Sequence, residues 1–523
     1  MIALARIIAI LFAAARLDAA VYDILIRNAR VVDGSGSSWF RADVAVTAGR
    51  IAAIGNLSRD TGRKTIDARD RILAPGFIDV HTHVEGTVEK VPGGDNYVLD
   101  GVTSIVTGNC GGSQINLPDW FAKLEKLGLG LNLATLIGHN SVRREVMGTA
   151  NRQATPEELA RMEALVYKAM REGAVGFSTG LIYIPGTYAN TPEVAALAKA
   201  AARHGGVYAS HMRDEGDKVL DAIREAVLVG KESGLRVQLS HFKIDNRRLW
   251  GSSDKSLALV DQYRRDGVDV VMDQYPYDRS STNLGITLPS WALADGEESI
   301  RTRLTDRATR ARIVTEMEAR LRSLGQPDYS YATVAVFKPD LSFEGKTISE
   351  INVLKGRPRT IAAEIETILE LMTQGGAQMV YGSMGNEDVE RILRHPHTAI
   401  ASDGGIREFG IGMPHPRSYG TNARVLAEFV RNRGVLRLED AIRRMTSLPA
   451  RTFGFRNRGL IAPGAAADFV LFDPARVQDK ATFANPHQFS VGFDFVAVNG
   501  TLVVEEGKLT PARPGRVLRS IAP

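Results

Sequence analysis

Apolar and polar positions alternate in short bursts at both ends of the chain. YDILIRNARVVDG (22–34), ADVAVTAGRIAAIG (42–55) and KTIDARDRILAPG (64–76) each read as strands broken by Gly-rich turns, and the same texture returns in ADFVLFDP (467–474) and FVAVNGTLVVEEGKL (495–509). Period-two alternation of this kind predicts half-buried antiparallel strands. Because the two sets are separated by the whole middle of the chain, the ends are expected to pair into one small β-sandwich, residues 21–75 with 455–515.

The middle has a different rhythm. The segments 77–83, 103–110, 131–140, 174–181, 207–212, 236–242, 269–277 and 398–405 are candidate strands, most of them apolar runs of the buried, parallel kind. Between several of them lie amphipathic helices such as TPEELARMEALVYKAMREG (155–173) and TPEVAALAKAAARHG (191–205), opened by Thr-Pro and closed by Gly. Eight strands alternating with helices predict an α/β fold of the (β/α)8 TIM-barrel type over 76–454. The spacing breaks before the last strand, where about 283–350 carries helix and strand signals of its own. That stretch is expected to be an insertion at the barrel mouth.

Length, composition and charge narrow the chemistry. At 523 residues with 44% hydrophobic and 24% charged positions, the chain can bury a large core without covalent staples. A net charge of +5, from 65 basic and 60 acidic residues, is small and spread out, so nucleic-acid binding is not expected. One cysteine, Cys110, excludes internal disulfides, iron–sulfur clusters and zinc modules built on several thiolates. At the N-terminus, Ile7 to Ala15 is apolar between Arg6 and Arg16, too short to cross a bilayer. It fits a secretory signal over residues 1–20, cleaved between Leu17 and Ala20, so export is expected and no membrane attachment after cleavage. A cytoplasmic protein with a frayed N-terminal helix is the alternative.

The polar residues inside the barrel pattern decide the function. His81 and His83 end the first strand, Cys110 the second, His211 the fifth, His241 the sixth and Asp403 the eighth. In a barrel these C-terminal strand ends converge on one mouth. His81 and His83, two apart on a strand, share a face. Imidazole, thiolate and carboxylate are the usual ligands of zinc, so a small-molecule enzyme with a zinc site is expected.

FIDVHTH on the first barrel strand after a small β-domain resembles the amidohydrolase superfamily. GNCGG (108–112), FSTGLIYIPG (177–186), SHMRDEG (210–216), SHFK (240–243), ASDGG (401–405) and HPR (415–417) together resemble the N-acyl-D-amino-acid deacylase, or D-aminoacylase, family. In that family a thiolate replaces the carbamylated lysine that bridges two metals in many relatives. The resemblance implies that Cys110, His211 and His241 hold one tight zinc, while His81 and His83 form a second, weaker site sharing Cys110. It implies that Asp403 takes the proton of the attacking water and returns it to the departing amine. Arg417 is implied to bind the α-carboxylate of an N-acyl-D-amino acid, with Lys243 and Tyr275 in support, Ser281 and Tyr183 at the pocket wall and His139 behind the site. Between Asp403 and Arg417 the run GGIREFGIGMPHPR is richer in glycine and apolar residues than the family's, which leaves the acyl preference open. A D-dipeptidase, another amidohydrolase of cyclic or linear amides, and a barrel kept only as a binding scaffold are the rival readings.

Overall fold

The structure, a computed structural model, describes residues 20–520, so the expected signal segment lies, but for Ala20, outside the described residues. Among the described residues no helix is long and apolar enough to cross a membrane.

The two chain ends do pair. Val21–Val31, Phe40–Thr47, Arg50–Gly55, Thr61–Asp67 and Ile72–Pro75 join Phe469–Phe472, Phe493–Val498, Thr501–Glu505 and Lys508–Leu509 in one nine-stranded sheet. The seam is Phe469–Phe472 antiparallel to Ile72–Pro75. Alternation explains why FVLF is apolar throughout. Phe469 and Leu471 enter a core with Ile24, Val44 and Val46, whereas Val470 and Phe472 face the barrel's core beside Phe77 and Val102. Ile24 opposite Val46 and Ile26 opposite Val44 put all four side chains on the inner face, and a slip of one residue would expose them. The edge strand Arg50–Gly55 returns to the residues just before Phe469 through an Arg50–Ala466 bridge, so a single curled sheet encloses what the sequence pattern presents as a sandwich.

All eight expected barrel strands form, in parallel and in chain order: Phe77–Asp79, Val102–Thr107, Asn132–Thr135 continued by Ile137–Gly138, Gly176–Gly180, Val207–His211, Arg236–Leu239, Val270–Gln274 and Thr398–Ile400. The first and eighth meet just beyond their ends, where Thr82 bridges Gly404 and His83 N donates to Gly404 O at 2.7 Å. At the opposite end the third strand carries a guest: Leu133 pairs with Val517, so the last described residues brace the barrel floor. The helix Pro156–Arg171 begins at Thr155, whose hydroxyl forms a capping box with Glu158. The helix Thr191–Ala202 is capped one residue earlier than its Thr-Pro implies, by the Asn190 side chain.

The insertion is larger than expected. Instead of ending near residue 350 it runs to the strand Gln378–Gly382, the central strand of a three-stranded antiparallel sheet with Arg279–Asn283 and Ala332–Val336. The helices Arg307–Ser323 and Ile361–Thr373 pack on that sheet through Ile313, Met317, Ile365 and Ile368, a core separate from the barrel's. Without its middle strand the unit would have no sheet, which is why the boundary falls at 382.

Candidate metal centre and substrate cavity

The strand ends bring the six candidates together. Cys110 Sγ lies 3.3 Å from His81 Nε2 and 3.5 Å from both His211 Nδ1 and His241 Nε2. His83 Nε2 is 3.0 Å from Asp403 Oδ1, and His81 Nε2 is 3.5 Å from the same oxygen. The donor atoms of His81, His83 and Cys110 all fall within 4.8 Å of one another, as do those of Cys110, His211 and His241, and those of His81, His241 and Asp403. Cys110, His241 and Asp403 each leave their strands with positive φ, at 51°, 35° and 50°. Non-glycine residues rarely adopt this conformation, and here it turns three side chains inward from the barrel rim.

Two carboxylates that the sequence reading passed over hold the imidazoles. Asp273, at the seventh strand, lies 3.1 Å from His81 Nδ1 and accepts the His241 backbone N–H at 2.7 Å and Gln238 Nε2 at 2.7 Å. Glu215 accepts from His241 Nδ1 at 3.0 Å and from Lys243 Nζ at 2.8 Å. With Nδ1 of His81 and of His241 committed to a carboxylate, each turns Nε2 toward Cys110. Glu215 stood in SHMRDEG, four residues after His211, and that spacing was the available signal.

The donor set fits a divalent cation of zinc's type. A thiol has one proton and could satisfy only one of the three imidazole nitrogens around Sγ, so the remaining lone pairs face each other unless a cation takes them. Burial alone would raise the Cys110 thiol, yet His81, His211 and His241 hold it well below the usual thiol range. Burial alone would lower His83, yet Asp403 and Cys110 raise it to about 9. The thiolate and Asp403 thus draw positive charge onto the imidazoles around them. His83 is the most open member, with 39% of its side chain exposed against none for His81.

The other expected residues divide. Arg417 is buried, with Nη1 2.9 Å from Asp403 Oδ2, and its guanidinium lies 4.6 Å from the Tyr275 ring centre. The Tyr275 hydroxyl and Arg417 Nη1 are buried without a well-aligned hydrogen-bond acceptor. Ser281 meets Arg417 through its carbonyl, which accepts from Nη2 at 3.4 Å, while its hydroxyl donates to Met379 O at 2.7 Å. Tyr183 stands edge-on to His211, its hydroxyl accepting from Thr282 at 3.1 Å. Lys243 is not free to meet a ligand as expected: it is buried against Glu215 and His241, because the carboxylate behind His241 needs its charge. His139 belongs to a buried network with Glu193 and Arg143, apart from the metal cluster. In the glycine-rich loop, His415 Nδ1 accepts the Arg417 backbone N–H at 3.0 Å and Nε2 donates to Arg279 O at 2.9 Å, pinning Arg417 to the start of the insertion.

A cavity of about 750 Å³ opens from Cys110, Tyr183 and Glu215 and runs between barrel and insertion. Its volume is that of a small-molecule site.

A barrel whose strand ends gather three imidazoles around one thiolate, with a carboxylate and an arginine beside them, defines a metal-dependent hydrolase site of the amidohydrolase type. Residues 64–504 match the model of the amidohydrolase family, and the chain belongs to that family. It is 36% identical to the N-acyl-D-glutamate deacylase of Alcaligenes xylosoxydans xylosoxydans, over 95% of this chain and 96% of that protein. It is 33% identical to the D-aminoacylase of the same organism, over 97% and 99%. The crystal structure of N-acyl-D-glutamate deacylase from Bordetella bronchiseptica, complexed with zinc and a phosphonate mimic of the tetrahedral intermediate, superposes with a TM-score of 0.80 at 34% identity, covering 95% of this chain and 99% of that one.

Proposed function

We propose that this chain is a zinc-dependent N-acyl-D-amino-acid deacylase, hydrolysing the amide bond to release a carboxylic acid and a D-amino acid. The observation that carries the reading is the pairing of a Cys110-centred donor set with a buried arginine whose Nη1 reaches Asp403. The deacylases to which the chain is similar over nearly its whole length support the substrate class.

Cys110, His211 and His241 would hold a tight zinc, and His81 and His83 a weaker one that shares Cys110. When bound, zinc supplies a Lewis acid that polarises the amide carbonyl and acidifies a water. Asp403 takes the proton of the attacking water and later delivers it to the leaving nitrogen. Burial alone would raise the Asp403 carboxyl, but Arg417, then His81 and His241, hold it well below the usual carboxylate range, so it is ionised at neutral pH. Arg417 and the Tyr275 hydroxyl receive the α-carboxylate; a planar guanidinium can donate two parallel hydrogen bonds to it. Ser281 orients Arg417, Tyr183 walls the cavity beside His211, and Lys243 acts by holding Glu215 behind His241. Export, with cleavage between Leu17 and Ala20, completes the proposal and would place the activity on D-amino acid derivatives outside the cytoplasm.

The test is metal analysis of the purified protein together with turnover of matched N-acetyl-D- and N-acetyl-L-amino acids. Bound zinc and cleavage confined to the D-series are expected. Protein without zinc that spares the D-substrates would sink the assignment, and an intact Met1 on the cellular protein would sink export.

A further inference from the structure

The lining of the cavity beyond the metal centre mixes two chemistries. Ile182, Ile184, Ile286, Leu288, Leu293 and Met372 are apolar, whereas Asp214, Asp217, Asp245, Arg320, Tyr331 and Ser383 are charged or polar. An N-acyl amino acid has two branches once its carboxylate and amide are anchored, the acyl tail and the side chain.

Asp245 is the unusual member of the polar lining. It follows the sixth barrel strand, its backbone N–H donates to Glu215 O at 2.7 Å, and its side chain takes a hydrogen bond from Ser383. Nevertheless it forms no ion pair among the described residues. The ammonium two residues away, Lys243, is spent on Glu215, and Arg213 is paired with Glu225 at 2.9 Å. Arg320, on the insertion helix Arg307–Ser323, faces Asp245 from beyond ion-pair distance with an exposed side chain. Tyr331 and Tyr381 complete its surroundings. Burial and the neighbouring Glu215 push the Asp245 carboxyl up to about 7, further than Lys243 and Arg320 draw it down. The remaining cationic lining residues, Arg144 and Arg320, are exposed, so no buried, unpaired cation waits in the cavity for a second substrate carboxylate.

We propose that Asp245 makes this cavity a receptor for a substrate branch ending in a cation, so that this enzyme prefers zwitterionic substrates anchored by Arg417 at one end and Asp245 at the other. An ammonium or guanidinium placed there gains a charge-assisted hydrogen bond inside a partly desolvated wall, whereas a second carboxylate meets like charge. The cation has two possible sources: the side chain of a basic D-amino acid, or the free amino group of an aminoacyl group, as in a dipeptide with a C-terminal D-residue. The inference rests on the deacylase reading, and its failure is separable from that reading's.

The experiment compares kcat/KM for N-acetyl-D-leucine, N-acetyl-D-lysine, N-acetyl-D-glutamate and glycyl-D-leucine with wild-type protein and with Asp245→Asn. The expected result is a preference of at least about tenfold for one cationic substrate over N-acetyl-D-leucine, N-acetyl-D-glutamate being the poorest, with that ratio falling about tenfold or more in Asp245→Asn through KM. A preference for N-acetyl-D-lysine identifies the side chain as the source, and one for glycyl-D-leucine identifies the acyl group. Turnover of N-acetyl-D-leucine with no cationic advantage, a preference for N-acetyl-D-glutamate, or a ratio unmoved in Asp245→Asn overturns the proposal while leaving the deacylase intact. Should Asp245→Asn not fold, the wild-type ranking decides. Failure to cleave any of the four substrates removes the deacylase reading itself.

Discussion

Asp403 is held between an arginine and a histidine from different parts of the chain: Oδ2 stands 2.9 Å from Arg417 Nη1, and Oδ1 stands 3.0 Å from His83 Nε2. An ionised carboxylate in this position accepts a proton without first having to lose one. Replacing Asp403 by Ala is expected to leave zinc bound through Cys110, His211 and His241 and to lower kcat by about 100- to 10,000-fold, the usual worth of a positioned acid–base group. Metal content and steady-state kinetics on one preparation check it, and loss of zinc together with activity would make Asp403 a ligand instead of a base.

Arg417 presents a different kind of dependence. Lysine keeps the charge but not the fork, so Arg417→Lys is expected to raise KM about 10- to 100-fold for N-acyl-D-amino acids, with a smaller effect on kcat. The methyl ester of the same substrate, which lacks the carboxylate, should lose the difference between wild type and variant. An equal effect on acid and ester would show that Arg417 does not bind the carboxylate.

Metal affinity should depend on the carboxylates behind the ligands as well as on the thiolate. Cys110→Ala is expected to abolish tight zinc binding. Asp273→Asn places an amide donor among three N–H groups that now share a carboxylate, those of His81, His241 and Gln238. About a 10- to 100-fold loss of zinc affinity is expected, read by competition with a chelator. Unchanged affinity would confine the metal's support to the ligands themselves.

A pH effect on stability arises on the outside of the barrel. Partial burial, with Arg264, His395 and Arg443 nearby, lowers His397 from 6.5 to about 4. The fold therefore favours the neutral ring, and the contribution is present above pH 6.5 and lost as pH falls through 4. Because the ring is only partly buried and solvent screens it, the effect is about 1 kcal/mol. Denaturant unfolding between pH 7 and 4 should show wild type losing this much more stability than His397→Gln. Parallel losses would exclude His397 as the source.

Much of this architecture was legible because the signals were local. Eight runs, most of them apolar, marked eight strands, since a strand buried on both faces favours apolar residues at consecutive positions. The ligands could be picked out because a barrel gathers C-terminal strand ends, so His81, Cys110, His211, His241 and Asp403 needed only their places in the pattern. The insertion's end was not legible: Gln378–Gly382 is a short apolar run like many others, and only its pairing with Arg279–Asn283 and Ala332–Val336 makes it a central strand.

The sequence by itself determined the element order, the pairing of the chain ends and the identity of the donor residues, because each depends on residue type at fixed spacing. Tertiary structure alone decided which charges meet. Lys243 looked free to serve a ligand until Glu215 was seen to claim it, and Asp273 looked like one more strand residue until His81 was found leaning on it. Coulomb interactions and hydrogen bonds act over a few ångströms of space and are indifferent to the hundred or more residues of chain between partners such as His81 and Asp273, so no local pattern records them.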